Sequence, residues 1–192
     1  MKKAMVVVIL AMLFVLAACG QTKPAAEPTA EPAAEEGKSG GAVQLANPWR
    51  EVTEAEAKAL CPKSFVVPDG AENAVWSVMD SAADASGVPG ALVQLDFDLD
   101  GNSFTAREQV TGDSEVDQSG MYYEWTHEEE SDLQFWADGA MPCRLYRFID
   151  ENGYADLCTW YDAEVGISYS LSVTAKDLDG FDLRAVARAL HG

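Results

Sequence analysis

Ile167-Ser168-Tyr169-Ser170-Leu171-Ser172-Val173-Thr174 decides the fold. Large apolar side chains alternate with hydroxyls, and successive side chains of a strand point to opposite faces of its sheet. The stretch therefore reads as a strand with one buried and one solvated face, the habit of antiparallel sheets. The same period recurs upstream, where Val93, Leu95, Phe97 and Leu99 alternate with Gln94, Asp96, Asp98 and Asp100. A tight turn at Asp100-Gly101 or Gly101-Asn102 would return the chain through Phe104 and Ala106. Both registers keep those two residues on the apolar face, and the second sets Asp96 opposite Arg107 as a cross-strand ion pair.

Working outward, strand-like runs fall at residues 64–67, 74–79 and 91–99, separated by Pro68-Asp69-Gly70 and Gly87-Val88-Pro89-Gly90 turn signals. Further strands are expected at 121–127, 133–136, 143–149, 154–161 and 166–174, with a bend at Asp150-Glu151-Asn152-Gly153. Thr53-Glu54-Ala55-Glu56 is a capping box that opens a short helix over residues 54–60, ended by Cys61-Pro62. Asp179 is placed to cap a last helix over 180–190, in which Leu183, Val186, Ala187 and Leu190 form one stripe. That stripe needs an apolar partner, and the sheet supplies one. Arg184 and Arg188, off the stripe, are expected to face water. The class is α+β: a mostly antiparallel sheet with a short N-terminal helix and a C-terminal amphipathic helix packed on one face.

The N-terminal part has a different character. Met1-Lys2-Lys3 precedes an unbroken apolar run from Ala4 to Ala18, too short to span a bilayer and ordered like a secretory signal. It ends in Leu16-Ala17-Ala18-Cys19, which resembles the lipobox of bacterial lipoproteins. That resemblance implies removal of residues 1–18 and lipid on Cys19, hence a cell-membrane protein anchored on the extracytoplasmic side. Two or three acyl chains hold a protein stably where one does not. Residues 19–45 are rich in Ala, Pro, Glu and Gly, with prolines at 24, 28 and 32, and read as a disordered tether. Residues 46–192 are long enough for one domain with its own core.

The whole chain carries 13 Lys and Arg against 32 Asp and Glu, formally −19. Removal of residues 1–18 takes away Lys2 and Lys3 and no acid, leaving 11 cations against the same 32 acids, formally −21. Such a charge repels phosphate backbones and excludes nucleic acid as a partner. The lipid is then the expected contact with the membrane, and the domain is expected to be monomeric.

Several landmarks resemble an uncharacterised domain of lipoproteins from Gram-positive anaerobes. They are Asn47-Pro48-Trp49 before an Ala/Glu helix, a hairpin ending in Thr105-Ala106-Arg107, and Asp117-Gln118-Ser119-Gly120-Met121-Tyr122. Cys158-Thr159-Trp160-Tyr161, Ile167-Ser168-Tyr169-Ser170-Leu171 and the closing helix complete the set, which spans nearly all of 47–192. Members often read Asp-Ile-Ser-Gly where this chain has Gln118. The resemblance implies the fold and the anchor and brings no site residues.

Candidate chemistry is sparse. Asp96-Phe97-Asp98-Leu99-Asp100-Gly101 begins like a calcium loop, but the position that should bring a bidentate Glu is Arg107, and the strand alternation explains every residue. His127-Glu128 lacks the second histidine of a zinc helix, Ser131 standing in its place, and the only other histidine is His191. Gly112-Asp113-Ser114 is not followed by the histidine motif of the serine hydrolases it suggests. No catalytic residue, metal or cofactor is assigned, and the protein is read as a non-enzyme.

Cys61, Cys143 and Cys158 allow at most one disulfide. Cys143 to Cys158 is favoured over a bridge using Cys61; it requires a four-residue bend at 149–152, whereas an Asn152-Gly153 turn leaves the two four residues out of register. Trp125, Trp136 and Trp160 are the candidate ligand contacts, since indoles beside acids stack on sugars or peptides; the alternative is ordinary core. The expected function is binding or sensing of an unknown protein, peptide or glycan at the outer face of the membrane. A carrier of an apolar molecule in a cupped sheet comes second and a hydrolase last.

Overall fold

The computed structural model describes residues 47–80, 90–136 and 139–192, the side chain of Trp136 excepted. The signal segment, Cys19, the tether and most of the Gly87–Gly90 turn lie outside the described residues.

Eight strands form one antiparallel sheet: β1 (Trp49–Val52), β2 (Glu72–Met79), β3 (Leu92–Leu99), β4 (Asn102–Val110), β5 (His127–Trp136), β6 (Gly139–Asp150), β7 (Gly153–Asp162) and β8 (Ile167–Ala175). The spatial order is β1-β2-β3-β4-β8-β7-β6-β5. Two helices, α1 (Glu54–Lys58) and α2 (Leu183–His191), complete the domain. It is an α+β fold, mostly sheet, as the sequence implied.

Ile167, Tyr169, Leu171 and Val173 point to the face that carries the helices, and the register extends the stripe across the neighbours. Val173 pairs with Phe104 and Leu171 with Ala106 on β4, while Tyr169 pairs with Trp160 and Leu171 with Cys158 on β7. Leu95 and Phe97 continue the stripe on β3, Trp76 and Val78 on β2. Ala57 of α1, Phe65, Leu178 and the α2 residues Leu183, Val186, Ala187 and Leu190 close over it. This helix face is filled: Tyr169, Phe65 and Leu190 are all within 1 % of full burial.

The β3–β4 turn takes the Asp100-Gly101 register, with φ of +51° and +81° at the two central residues, the geometry of a two-residue hairpin that Asp-Gly favours. Thr105, not Arg107, therefore faces Asp96, and Arg107 stands opposite Gln94. The capping box at Thr53 forms as expected: Thr53 Oγ1 accepts from Glu56 N, and Glu56 accepts from Thr53 N.

Other expectations need correction. Residues 64–67 make no strand; they lie across the helix face, where Phe65 N donates to Glu108 Oε2 and Val66 N to Leu190 O. Residues 121–126 form no strand, and β5 begins at His127. Asp179 does not cap α2, which starts after Asp182; Asp179 instead accepts from the Tyr154 hydroxyl. Arg184 and Arg188 do not face water: they are half-buried and donate to Ser131 Oγ and Leu133 O of β5. The helix docks on the expected face, but over β7 and β5 rather than along β8.

Candidate ligand site

The strand order creates the site. β4 lies beside β8, yet the next strand in the chain, β5, forms the far edge, so residues 111–126 must cross β8, β7 and β6. At ~4.8 Å between strands this crossing covers roughly 19 Å. It runs over the face opposite the helices and forms a strap. Thr111 Oγ1 meets Ser168 Oγ at 2.6 Å, and Ser168 Oγ donates to Asp113 O. Further on, Arg107 donates from Nη1 to Gln118 O and Ser119 O while its guanidinium lies 5.2 Å from the Trp49 ring centre. Thr126 closes the strap, donating from N and Oγ1 to Arg147 O.

The hydroxyl stripe is accordingly not solvated throughout. Ser168 and Ser170 are 3 % and 2 % exposed under the strap. Burying hydroxyls is tolerable where they are hydrogen-bonded, as Ser168 is.

Between strap and sheet lies a cavity of about 490 Å³, within the range of small-molecule sites. Its floor is the strap face of β6, β7 and β8: Arg144, Tyr146, Leu157, Thr159, Tyr161 and Ser168. Its roof is Ser114, Glu115, Val116, Asp117, Met121 and Trp125, and Glu130 of β5 stands at its side. The Trp125 and Tyr146 rings are 5.4 Å apart at 39°, and Tyr123 extends the cluster between Trp125, at 5.3 Å, and Phe148, at 4.9 Å. Arg144 stands between two carboxylates, 4.0 Å from Glu115 and 3.7 Å from Glu130.

A second polar group is buried on the helix face. Glu108, fully buried, accepts from Phe65 N at 3.1 Å and is hydrogen-bonded to Ser64 Oγ. Burial raises its pKa to about 8, against the pull of those hydrogen bonds. It is therefore largely protonated at neutral pH. Tyr169 donates to Lys63 O at 2.6 Å, and Lys63 Nζ pairs with Asp162 at 2.8 Å. Trp160 Nε1 donates to His191 Nδ1, which leaves the imidazole proton on Nε2, 3.7 Å from Asp162. Burial, aided by Lys63 and opposed by Asp162, lowers the His191 pKa to about 4, so the ring is neutral. These contacts pin residues 61–67 and the end of α2 to the sheet. Ser64 is held by Glu108, while His191 is held by Trp160.

Of the sequence-predicted ligand contacts, Trp125 lines the cavity. Trp160 also borders the cavity, though its ring stacks on Tyr169 at 5.2 Å on the helix face and is only 4 % exposed, so it belongs mainly to the core. Trp136 ends β5 opposite Gly139, with its side chain outside the described residues. Cys143 and Cys158 are free thiols, as is Cys61. The β6–β7 register pairs Cys143 with Trp160 and Leu145 with Cys158, so the two cysteines are diagonal neighbours rather than the directly opposed pair expected. A thiol hydrogen bond between them lowers the Cys143 pKa and raises that of Cys158.

Asp96 and Asp98 are taken up by the hairpin: Asp96 accepts from Thr105 and Gln94, Asp98 from Ser103 and Asn73. His127 is exposed, 3.8 Å from Glu129. Among the described residues no group of three or more His, Cys, Asp or Glu is placed to hold a metal. Sequence reasoning missed Tyr146, Thr159 and Tyr161, because a cavity floor shared by three strands has no linear signature.

No protein-family model, curated protein or solved structure matches the chain.

Proposed function

We propose that this protein is a lipid-anchored, extracytoplasmic binding module, non-catalytic, whose ligand sits between the strap and the sheet. The anchoring half of the reading rests on Leu16-Ala17-Ala18-Cys19 after its apolar run, and on the Pro/Glu tether. The binding half rests on one observation, the 490 Å³ cavity walled by Trp125, Tyr146 and Tyr161. The stacking rings offer large contact area with few rotatable bonds, and the charged side chains orient a ligand. The apolar lining by Val116, Met121 and Leu157 favours, as a second reading, carriage of an apolar molecule in this cavity. The helix face is filled by core side chains.

A fragment screen on the full chain, read by amide shifts, tests the proposal. Hits should cluster on residues 114–117, 125, 146 and 159. Thr159→Trp, which fills the floor from a half-buried position, should abolish them while leaving the fold intact. Hits scattered over the surface, or unaffected by that substitution, would overturn the reading.

A further inference from the structure

Resting on that reading of the cavity, we propose that its ligand is a small organic cation: an ammonium or guanidinium group carried on an apolar body. The wall holds three carboxylates, Glu115, Asp117 and Glu130, against one cation, Arg144. Arg144 lies between Glu115 and Glu130, whose charges offset its own. The cavity thus has a formal surplus of two negative charges in a chain that is itself formally −19. The field of the whole protein adds to the local one, concentrating cations and excluding anions from the strap face.

The aromatic geometry points the same way. A cation is drawn to the face of an indole or phenol ring, most strongly where water is excluded. Trp125 and Tyr146 both line the cavity and are inclined to each other by 39°, a corner rather than the flat platform a sugar ring would stack on. A neutral sugar can donate hydroxyls to the carboxylates but gains nothing from the net field that concentrates cations. The single concave volume suits a small molecule better than an extended chain.

The probes are 2-phenylethylammonium, its neutral analogue 2-phenylethanol and the anion phenylacetate, titrated calorimetrically into the full chain. The ammonium should bind most tightly, lose affinity as salt is raised, and be displaced by filling the floor with Thr159→Trp. Glu115→Gln with Glu130→Gln, both at exposed positions, should weaken it by about tenfold and leave 2-phenylethanol unchanged. Arg144→Gln should act in the opposite direction, tightening the ammonium roughly threefold. Equal binding of ammonium and alcohol, both lost in Thr159→Trp, would overturn the charge selection and leave the cavity as a binding site. Preferred binding of phenylacetate would do the same. Failure of all three probes to bind at the cavity would overturn the cation proposal, and the fragment screen then decides whether the cavity binds anything.

Discussion

Glu108 makes stability depend on pH in a direction unusual for a carboxylate. Its pKa is about 8 in the folded chain because it is fully buried on the helix face, against an ordinary value of 4.5. Between those values the folded state holds a proton that the unfolded chain has released. Stability from this group is fully present below the unfolded pKa, then falls by about 1.4 kcal/mol per pH unit until the folded pKa is passed. Over the whole window the loss is about 4 to 5 kcal/mol, a large part of the margin of an ordinary domain. Glu108→Gln removes the titration while keeping an acceptor for Phe65 N and a polar partner for Ser64. The informative quantity is the difference between the two proteins in urea unfolding at each pH, in which titrations common to both cancel. From about pH 5 to pH 7.5 the variant should gain roughly 3 kcal/mol relative to the parent. A difference constant within about 0.5 kcal/mol would refute the buried, protonated Glu108.

Other substitutions have equally definite outcomes. Leu183→Ala, truncating a side chain that is 4 % exposed, should cost about 2 to 5 kcal/mol in chemical denaturation. Arg188→Ala, which removes the donor to Leu133 O, should cost about 1 kcal/mol or more, and a cost near zero would show that the guanidinium does not hold β5. Gly120→Ala forces a Cβ into the Arg107 guanidinium at φ +69° and should loosen the strap, read as faster amide exchange at residues 117–121 with β4 and β8 unchanged. Cys19→Ser should move the protein out of the membrane fraction; unchanged partitioning into detergent would refute the lipid anchor.

What could be read from the sequence was whatever one element decides by itself. The alternation in Ile167–Thr174 and in Val93–Leu99 marks the helix face because burial of one face is a property of each strand. The stripe of α2 and the capping box at Thr53 are local in the same sense. What failed depended on where elements lie relative to one another. Ser168 and Ser170 have the pattern of a wet face, and only the β4 to β5 jump across the sheet places a strap over them. Residues 121–126 alternate like a strand, yet they follow that strap and form no strand. Phe65 and Val66 are strand-like in composition, but their amides go to a buried carboxyl and to the end of a helix. Arg184 and Arg188 look solvated on a helical wheel because the wheel does not include β5. Half of the cavity was visible as Trp125; its floor, contributed by β6, β7 and β8, exists only after the strands are ordered.

The two faces of the sheet therefore do different work. The helix face supplies the stability, with closely packed apolar side chains and a buried polar clasp in which Glu108, Tyr169 and Lys63 find partners while His191 Nε2 has no hydrogen-bond partner among the described residues. The strap face carries a roof pinned at its start through Ser168, at its middle by Arg107 and at its end by Thr126, with ring contacts of Tyr123 and Trp125 between the last two. A segment held in this way belongs to the low-stability end of a fold, where binding elements are drawn from. A ligand bridging Trp125 of the roof and Tyr146 of the floor would join the two layers, stabilising the folded chain in proportion to its occupancy.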